Sequence, residues 1–281
     1  MIELTIGIPT ANRPDKIQAC LDSIKEYLTI QHKIIVVDSS EKGSRLDKNY
    51  MNGLAIIQPP EMVSPSHARK IISDNLDTEF LLYLDDDMTI TKGSVEKMME
   101  FLKSNDDADI VGGAVNEYGY WRDIGFHFLL GEVNKIKIIE KKVITKEWLD
   151  YRKFESFKVD LVTQPPFLMR ASVFSKVSFD PNYKWAKEIY DFFYDCYLAN
   201  MASFVLPNSI FKHFPNSYSS ETFKHKKKIF NKEGNELFSN KWGIRIQNPK
   251  KQSILKMAFD KFKYRVNKRR MVNKKFKLDQ V

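Results

Sequence analysis

Cysteine is nearly absent from this 281-residue chain, and its two examples, Cys20 and Cys196, lie far apart. That excludes a Cys-based metal spacing and fits a reduced, cytosolic compartment. Also missing is any Gly-x-Gly-x-x-Gly or Gly-x-x-x-x-Gly-Lys loop, which argues against a dinucleotide-binding fold or a P-loop ATPase. No stretch approaches the ~20 apolar residues that span a bilayer. No basic leader precedes the strand-like residues 3–8, so a signal peptide is not expected. Neither an internal repeat nor a low-complexity linker is found.

What is present is enough apolar matter for a substantial core: 43% hydrophobic residues and 13% aromatics. The length suits one large α/β domain, alone or with an appendage. The net charge of +9 is unevenly placed, because residues 250–281 carry twelve Lys/Arg against two Asp, leaving −1 for the first 249. A globally basic nucleic-acid-binding domain would not look like this.

Over residues 1–115, strand and helix signals alternate, which argues for a mostly parallel sheet with crossovers. Strands are read at 4–8, 33–37, 54–57, 80–84 and 109–115, and helices at 14–28, 66–76 and 91–103. The first helix has Pro14 in its first turn and Ile17, Leu21, Ile24 and Leu28 on one face. Beyond 118 the pattern loosens. A hairpin is read at 135–144, strand character at 161–170, a helix at 186–200, short strands at 203–206 and 210–213, and a Lys-rich helix at 217–238.

The most informative run is Leu81-Leu82-Tyr83-Leu84-Asp85-Asp86-Asp87-Met88, an apolar strand ending in three carboxylates. Like charges so close repel one another unless a cation sits among them. Carboxylate oxygens suit hard divalent ions, Mg²⁺ or Mn²⁺, and the carboxyl ends of strands are where open α/β sheets place ligands. A turn or helix cap is the alternative use of such a cluster. Three further polar groups mark the same edge. The first strand runs into Pro9-Thr10-Ala11-Asn12-Arg13, suited to reading a base and ribose, or to capping the helix that follows. The second ends in Asp38, suited to accept from a nucleobase ring nitrogen. Ser64-Pro65-Ser66-His67-Ala68-Arg69 opens a helix whose N-terminus and arginine make a natural diphosphate site. His67 is read as a packing or surface residue.

The ordered segments IGIPTANRP, IIVVDSS, SPSHARKIISDNLDTEFLLYLDDDM and DIVGGAV resemble the nucleotide-sugar half of family-2 glycosyltransferases of the GT-A fold. Within that group the triplet, DIVGGAV and FLMRASVFSKVSFDPNY are similar to the β-1,4-N-acetylgalactosaminyltransferase branch. The resemblance covers residues 3–215, is specific over the first 115, looser afterwards and absent from the tail. It implies a Rossmann-like, mostly parallel sheet with an acceptor-side α+β region. The divisions would be 1–115 for the nucleotide-sugar half, 116–215 for the acceptor half, 216–249 for a helical extension and 250–281 for a basic amphipathic tail.

By the same resemblance, Pro9, Thr10, Asn12, Arg13 and Asp38 would contact the nucleoside and Arg69 the diphosphate side. Asp85 would face ribose and metal, Asp86 would support the donor site, and Asp87 would ligate Mn²⁺ or Mg²⁺. His213 in SIFKHFP stands where such enzymes supply a further metal ligand, with an ordinary packed histidine as the alternative. The family's acidic Glu-Asp pair is split here between Glu188 and Asp191, three apart and so on one helical face. Asp191 is favoured as the base for taking the acceptor proton, because it precedes Phe192-Phe193, and Glu188 is its rival. Tyr183 and Trp185 are candidates to stack on an acceptor sugar.

In the tail, Leu255, Phe259, Phe262 and Val266 fall at helical spacing among Lys and Arg. That pattern suits an anionic membrane surface; packing on the body or nonspecific nucleic-acid binding are its alternatives. The reading is therefore an inverting, metal-dependent transferase moving a sugar from a nucleotide donor, UDP-linked, to a glycan or lipid-linked glycan, in the cytoplasm and peripheral on the inner membrane face. Rival readings are a sugar-phosphate nucleotidyltransferase, disfavoured by the glycine-free PTANRP, and a non-enzymatic basic adaptor on an α/β scaffold.

Overall fold

The structure, a computed structural model, describes residues 2–44, 46–122, 124–133, 135–143, 155–184, 186–215 and 221–247. The expectations placed on Trp185 and on the 250–281 tail lie outside these residues.

The chain opens with β1 (Leu4–Thr10), α1 (Pro14–Tyr27), β2 (His32–Asp38) and β3 (Leu54–Ile57). There follow α2 (Pro65–Asp74), β4 (Phe80–Tyr83), β5 (Met88–Ile90), α3 (Ser94–Ser104) and β6 (Ile110–Glu117). Next come β7 (Tyr120–Trp121), β8 (Gly125–Val133), β9 (Ile136–Val143), β10 (Phe157–Val159), β11 (Leu161–Val162) and β12 (Phe167–Arg170). The last elements are α4 (Glu188–Leu198), β13 (Ser203–His213), α5 (Glu221–Trp242) and β14 (Arg245–Gln247).

A ten-stranded mixed sheet runs in the order β10-β13-β6-β12-β4-β1-β2-β3, with β5 on β13 and β7 on β6. β1 lies parallel to both β2 and β4, so these strands end at the same edge. β12 enters antiparallel between β4 and β6. Both faces of the central strands are covered, which explains their continuous apolar runs: Ile6, Ile8, Leu81 and Leu82 are all buried. Helix α2 comes close enough to β1 that a Cβ on Gly7 would stand 2.5 Å from Ile72 Cγ2. Only glycine leaves room for that approach.

The early alternation of strand and helix is present as read; α1 and α2 lie within two residues of their predicted ends, and α3 begins three residues later than read. Past residue 118 the chain departs from the reading. The segment 135–144 is not a hairpin by itself: β9 pairs antiparallel with β8, which was not read as a strand. These strands, with β11 and β14, form a separate four-stranded sheet. The stretches 203–206 and 210–213 are one strand, β13, with a register shift between Leu206 and Ile210. Pairing with β6 carries the chain through a gap that local pattern reads as a break.

Candidate functional site

The parallel strands deliver their polar ends to one place. Thr10 closes β1, and its hydroxyl donates to Asp86 Oδ2 at 2.7 Å instead of capping α1. Arg13, at the N-cap position of α1, likewise makes no capping bond. Its guanidinium reaches the triplet, Nη1 to Asp87 Oδ2 at 3.0 Å and Nη2 to Asp86 Oδ1 at 2.5 Å. The second of these is a charge contact off the line of an aligned hydrogen bond. Asn12 sits at φ 56° and joins the loop after β2: its amide N donates to Ser40 Oγ at 2.7 Å, and its Oδ1 accepts from the Glu41 amide at 3.3 Å. Asp38 is buried and takes the Ser40 amide at 3.0 Å and the Ser40 hydroxyl at 2.5 Å on one carboxylate oxygen. Thr10, Asn12, Asp38 and Ser40, with Lys42 and Leu46, line a cavity of about 250 Å³. Pro9 lies in β1 opposite Val37. Lys42 and Leu46 had no motif to mark them.

Arg69 approaches from the other side. Ser64 caps α2, accepting the His67 amide at 3.1 Å, and the hydroxyl of buried Tyr83 donates to the Arg69 carbonyl at 2.7 Å, fixing the helix against β4. The Arg69 side chain, almost wholly buried, gives Nη2 to Asp85 Oδ1 at 2.8 Å and Nη1 to Glu188 Oε1 at 3.5 Å. Its buried Nε has no hydrogen-bond partner among the described residues. The triplet is thus divided: Asp85 to Arg69, Asp86 to Thr10 and Arg13, Asp87 to Arg13.

β5 carries the chain from the triplet into pairing with β13, Met88 opposite His213, while β13 also runs parallel to β6 with Lys212 opposite Asn116. Two long-range pairings therefore set His213 between Asp87 and Glu117. Its Nε2 is 3.3 Å from Asp87 Oδ1 and its Nδ1 is 2.9 Å from Glu117 Oε2. Glu117 is buried and escaped the sequence reading, because no local motif announces an orienting carboxylate. Burial pulls His213 down, but the bonds and charges of Asp87 and Glu117 outweigh it and raise its pKa to about 9. Burial pushes Asp87 up; His213, Arg13 and Lys16 together bring it below the usual carboxylate range. Asp86 is pushed up to about 7 by burial, against the pull of Arg13 and Thr10.

The residues at this point fit a divalent ion in part. Two ligands at right angles on one octahedral ion, each about 2.1 Å from it, stand ~3 Å apart, close to the 3.3 Å between Asp87 Oδ1 and His213 Nε2. A histidine whose Nδ1 is held by a carboxylate presents Nε2 to a metal. Asp85 does not join this pair, since Arg69 holds it, and among the described residues no group of three or more His, Cys, Asp or Glu is gathered about one point.

On α4 the two candidate bases differ sharply. Asp191 is 1% exposed. It receives the Tyr183 hydroxyl at 3.1 Å, Lys241 Nζ at 2.8 Å and Trp242 Nε1 at 2.7 Å. Glu188 opens α4 and meets Arg69. Tyr183 is itself buried and bonded to Asp191, which leaves its ring within the core.

The Glycosyl transferase family 2 model matches residues 5–177, more than half of the chain. A teichoic acid poly(glycerol phosphate) polymerase of Staphylococcus epidermidis is 27% identical over 112 residues, 38% of this chain and 16% of that protein. An uncharacterised glycosyltransferase of Haemophilus influenzae is 22% identical over 109 residues, 38% of this chain and 37% of that one. The chain thus spans well under half the length of either relative. Among solved structures, residues 1–349 of S. aureus TarS superpose with a TM-score of 0.55 at 18% identity, covering 82% of this chain and 64% of that one. GalNAc-T7 with UDP, GalNAc and Mn²⁺ gives 0.58 at 13% identity, covering 77% and 44%. With its mixed central sheet and the strand-end site described above, the chain belongs to glycosyl transferase family 2 and has a GT-A type fold.

Proposed function

We propose that the chain is an inverting, metal-dependent glycosyltransferase that moves a hexose or N-acetylhexosamine from a UDP-sugar to a glycan or lipid-linked glycan. The observation that carries the reading is the convergence of Thr10, Arg13, Arg69, the Asp85–Asp87 triplet and His213 beside a cavity lined by Asn12 and Asp38. A similar fold binds UDP, GalNAc and Mn²⁺ in GalNAc-T7, which supports the donor class, as does the sequence likeness to the N-acetylgalactosaminyltransferase branch.

In this reading the cavity takes the nucleoside, with Asp38 accepting from the base. Arg69 and Arg13 face the diphosphate, because guanidinium groups match phosphate oxygens. Asp87 and His213 would hold Mn²⁺ or Mg²⁺, Glu117 would keep the His213 ring turned toward it, and Asp85 would stand on the ribose side with Asp86 in support. When bound, such an ion neutralises charge on the diphosphate leaving group. Glu188 takes the proton of the acceptor hydroxyl as that oxygen bonds to the anomeric carbon and the bond to the diphosphate breaks, its electron pair leaving on the phosphate oxygen. Glu188 is preferred to Asp191 as this base; the burial of Asp191 and its three donors support that choice. The basic 250–281 segment is assigned to an anionic membrane surface on the cytoplasmic side; its charge is the support for that.

The test is turnover of a UDP-sugar panel with Mn²⁺ and with chelator. Mn²⁺-dependent release of UDP from one sugar is the expected result. Turnover indifferent to the ion would remove the metal from the reading, and none with any donor would remove the reading itself.

A further inference from the structure

Helix α5 follows the family-matched region, yet it holds α4 directly and reaches α2 through Asp180. Gly234 packs so tightly that a Cβ there would stand 2.5 Å from the Ala186 carbonyl oxygen and 3.2 Å from its carbon. The next residue, Lys187, turns at φ 73° as the N-cap of α4, and Glu188 follows at once. At the end of α5, Lys241 and Trp242 both donate to buried Asp191, one turn further along α4. Lys241 also lies 3.5 Å from Asp180 Oδ2. The Asp180 carbonyl in turn accepts from Ser66 Oγ at 2.7 Å, in the first turn of α2, the helix that carries Arg69.

Stability alone is a poor reason for this arrangement. Phe192 and Phe193 are fully buried, and Tyr194 packs on Phe238 and Trp242, so α4 has ample apolar anchorage. A buried ion pair is often no more stabilising than well-packed apolar side chains. What such a pair adds is a defined position.

We propose that α5 is a brace that sets Glu188 against Arg69 and the triplet, with Lys241 and Trp242 as positioning residues and Gly234 as the point where the brace meets the turn before Glu188. The inference rests on the reading of Glu188 as the base, and it extends the working site to a helix outside the family-matched region.

The test uses the full chain with Lys241→Met and Trp242→Phe, which keep bulk and remove the donors, and with Gly234→Ala, which pushes on the Ala186 carbonyl. Amide exchange over 186–191, calorimetric UDP binding with Mn²⁺, and kcat and KM for the donor are compared with wild type. Exchange at 186–191 accelerates, UDP affinity holds and donor KM changes little. Misplacing a catalytic group lowers kcat on the order of 10–100-fold. Lys241→Arg restores part of kcat. Unchanged exchange at 186–191, or acceleration spread evenly through β1–β4 with UDP affinity and kcat falling together, would overturn the brace. A wild type that turns over no donor defeats the reading of Glu188, and the exchange experiment still decides the brace.

Discussion

The two sides of the candidate site are held by opposite means. On the donor side, charged groups at neighbouring strand ends neutralise one another: Arg13 with Asp86 and Asp87, Arg69 with Asp85, His213 with Asp87 and Glu117. On the acceptor side, α4 is fixed by aromatic packing and by one buried carboxylate saturated with donors. In the proposed function the first arrangement exchanges partners when a charged ligand arrives, because the same groups are given the diphosphate and the ion to hold. The second has no such freedom, which suits a part whose task is to hold one atom in place.

Four measurements can break or sharpen that contrast. Glu188→Gln is expected to lower turnover ~10²–10⁴-fold, as for loss of a general base, with UDP affinity intact. An equal loss from Asp191→Asn, with unchanged stability and unchanged amide exchange over 186–191, would reverse the roles assigned on α4. Asp87→Ala is expected to cost roughly 10²–10³ in turnover, as when one electrostatic partner of a developing charge is lost, checked by steady-state rates in saturating Mn²⁺. Glu117→Gln is expected to weaken Mn²⁺ affinity about 10–100-fold, read from paramagnetic resonance of free Mn²⁺, with little change in melting. Gly7→Ala is expected to cost about 1–3 kcal/mol of stability by overpacking, because its Cβ would meet Ile72 on α2; denaturant unfolding would show it.

How much of this was legible in the sequence follows from how far apart the partners lie. The alternation of strands and helices is local, and the positions of Thr10, Asp38, Arg69 and the triplet follow from it, because parallel strands end at one edge. The division of the triplet among Arg13, Arg69 and His213 was not legible, since side-chain pairing is decided by packing. Glu117 meets His213 across 96 positions, and Lys241 meets Asp191 across 50; no spacing rule spans such gaps. The place of Asp191 before two phenylalanines favours it as the base, yet those same phenylalanines pack that stretch of α4 into the core. The strand β8 escaped because its second half, Leu129 to Val133, leaves apolar residues exposed and so shows no clean alternation.

The central claim is that this sheet edge binds a nucleotide diphosphate with the help of a divalent ion held by Asp87 and His213. Calorimetric titration of UDP into the full chain, with Mn²⁺ and then with chelator, in wild type and in Asp87→Ala, tests it most directly. The account predicts binding to wild type in Mn²⁺ that weakens by at least about tenfold, some 1.4 kcal/mol, on chelation and equally in Asp87→Ala. UDP affinity unchanged by chelator and by Asp87→Ala would contradict it.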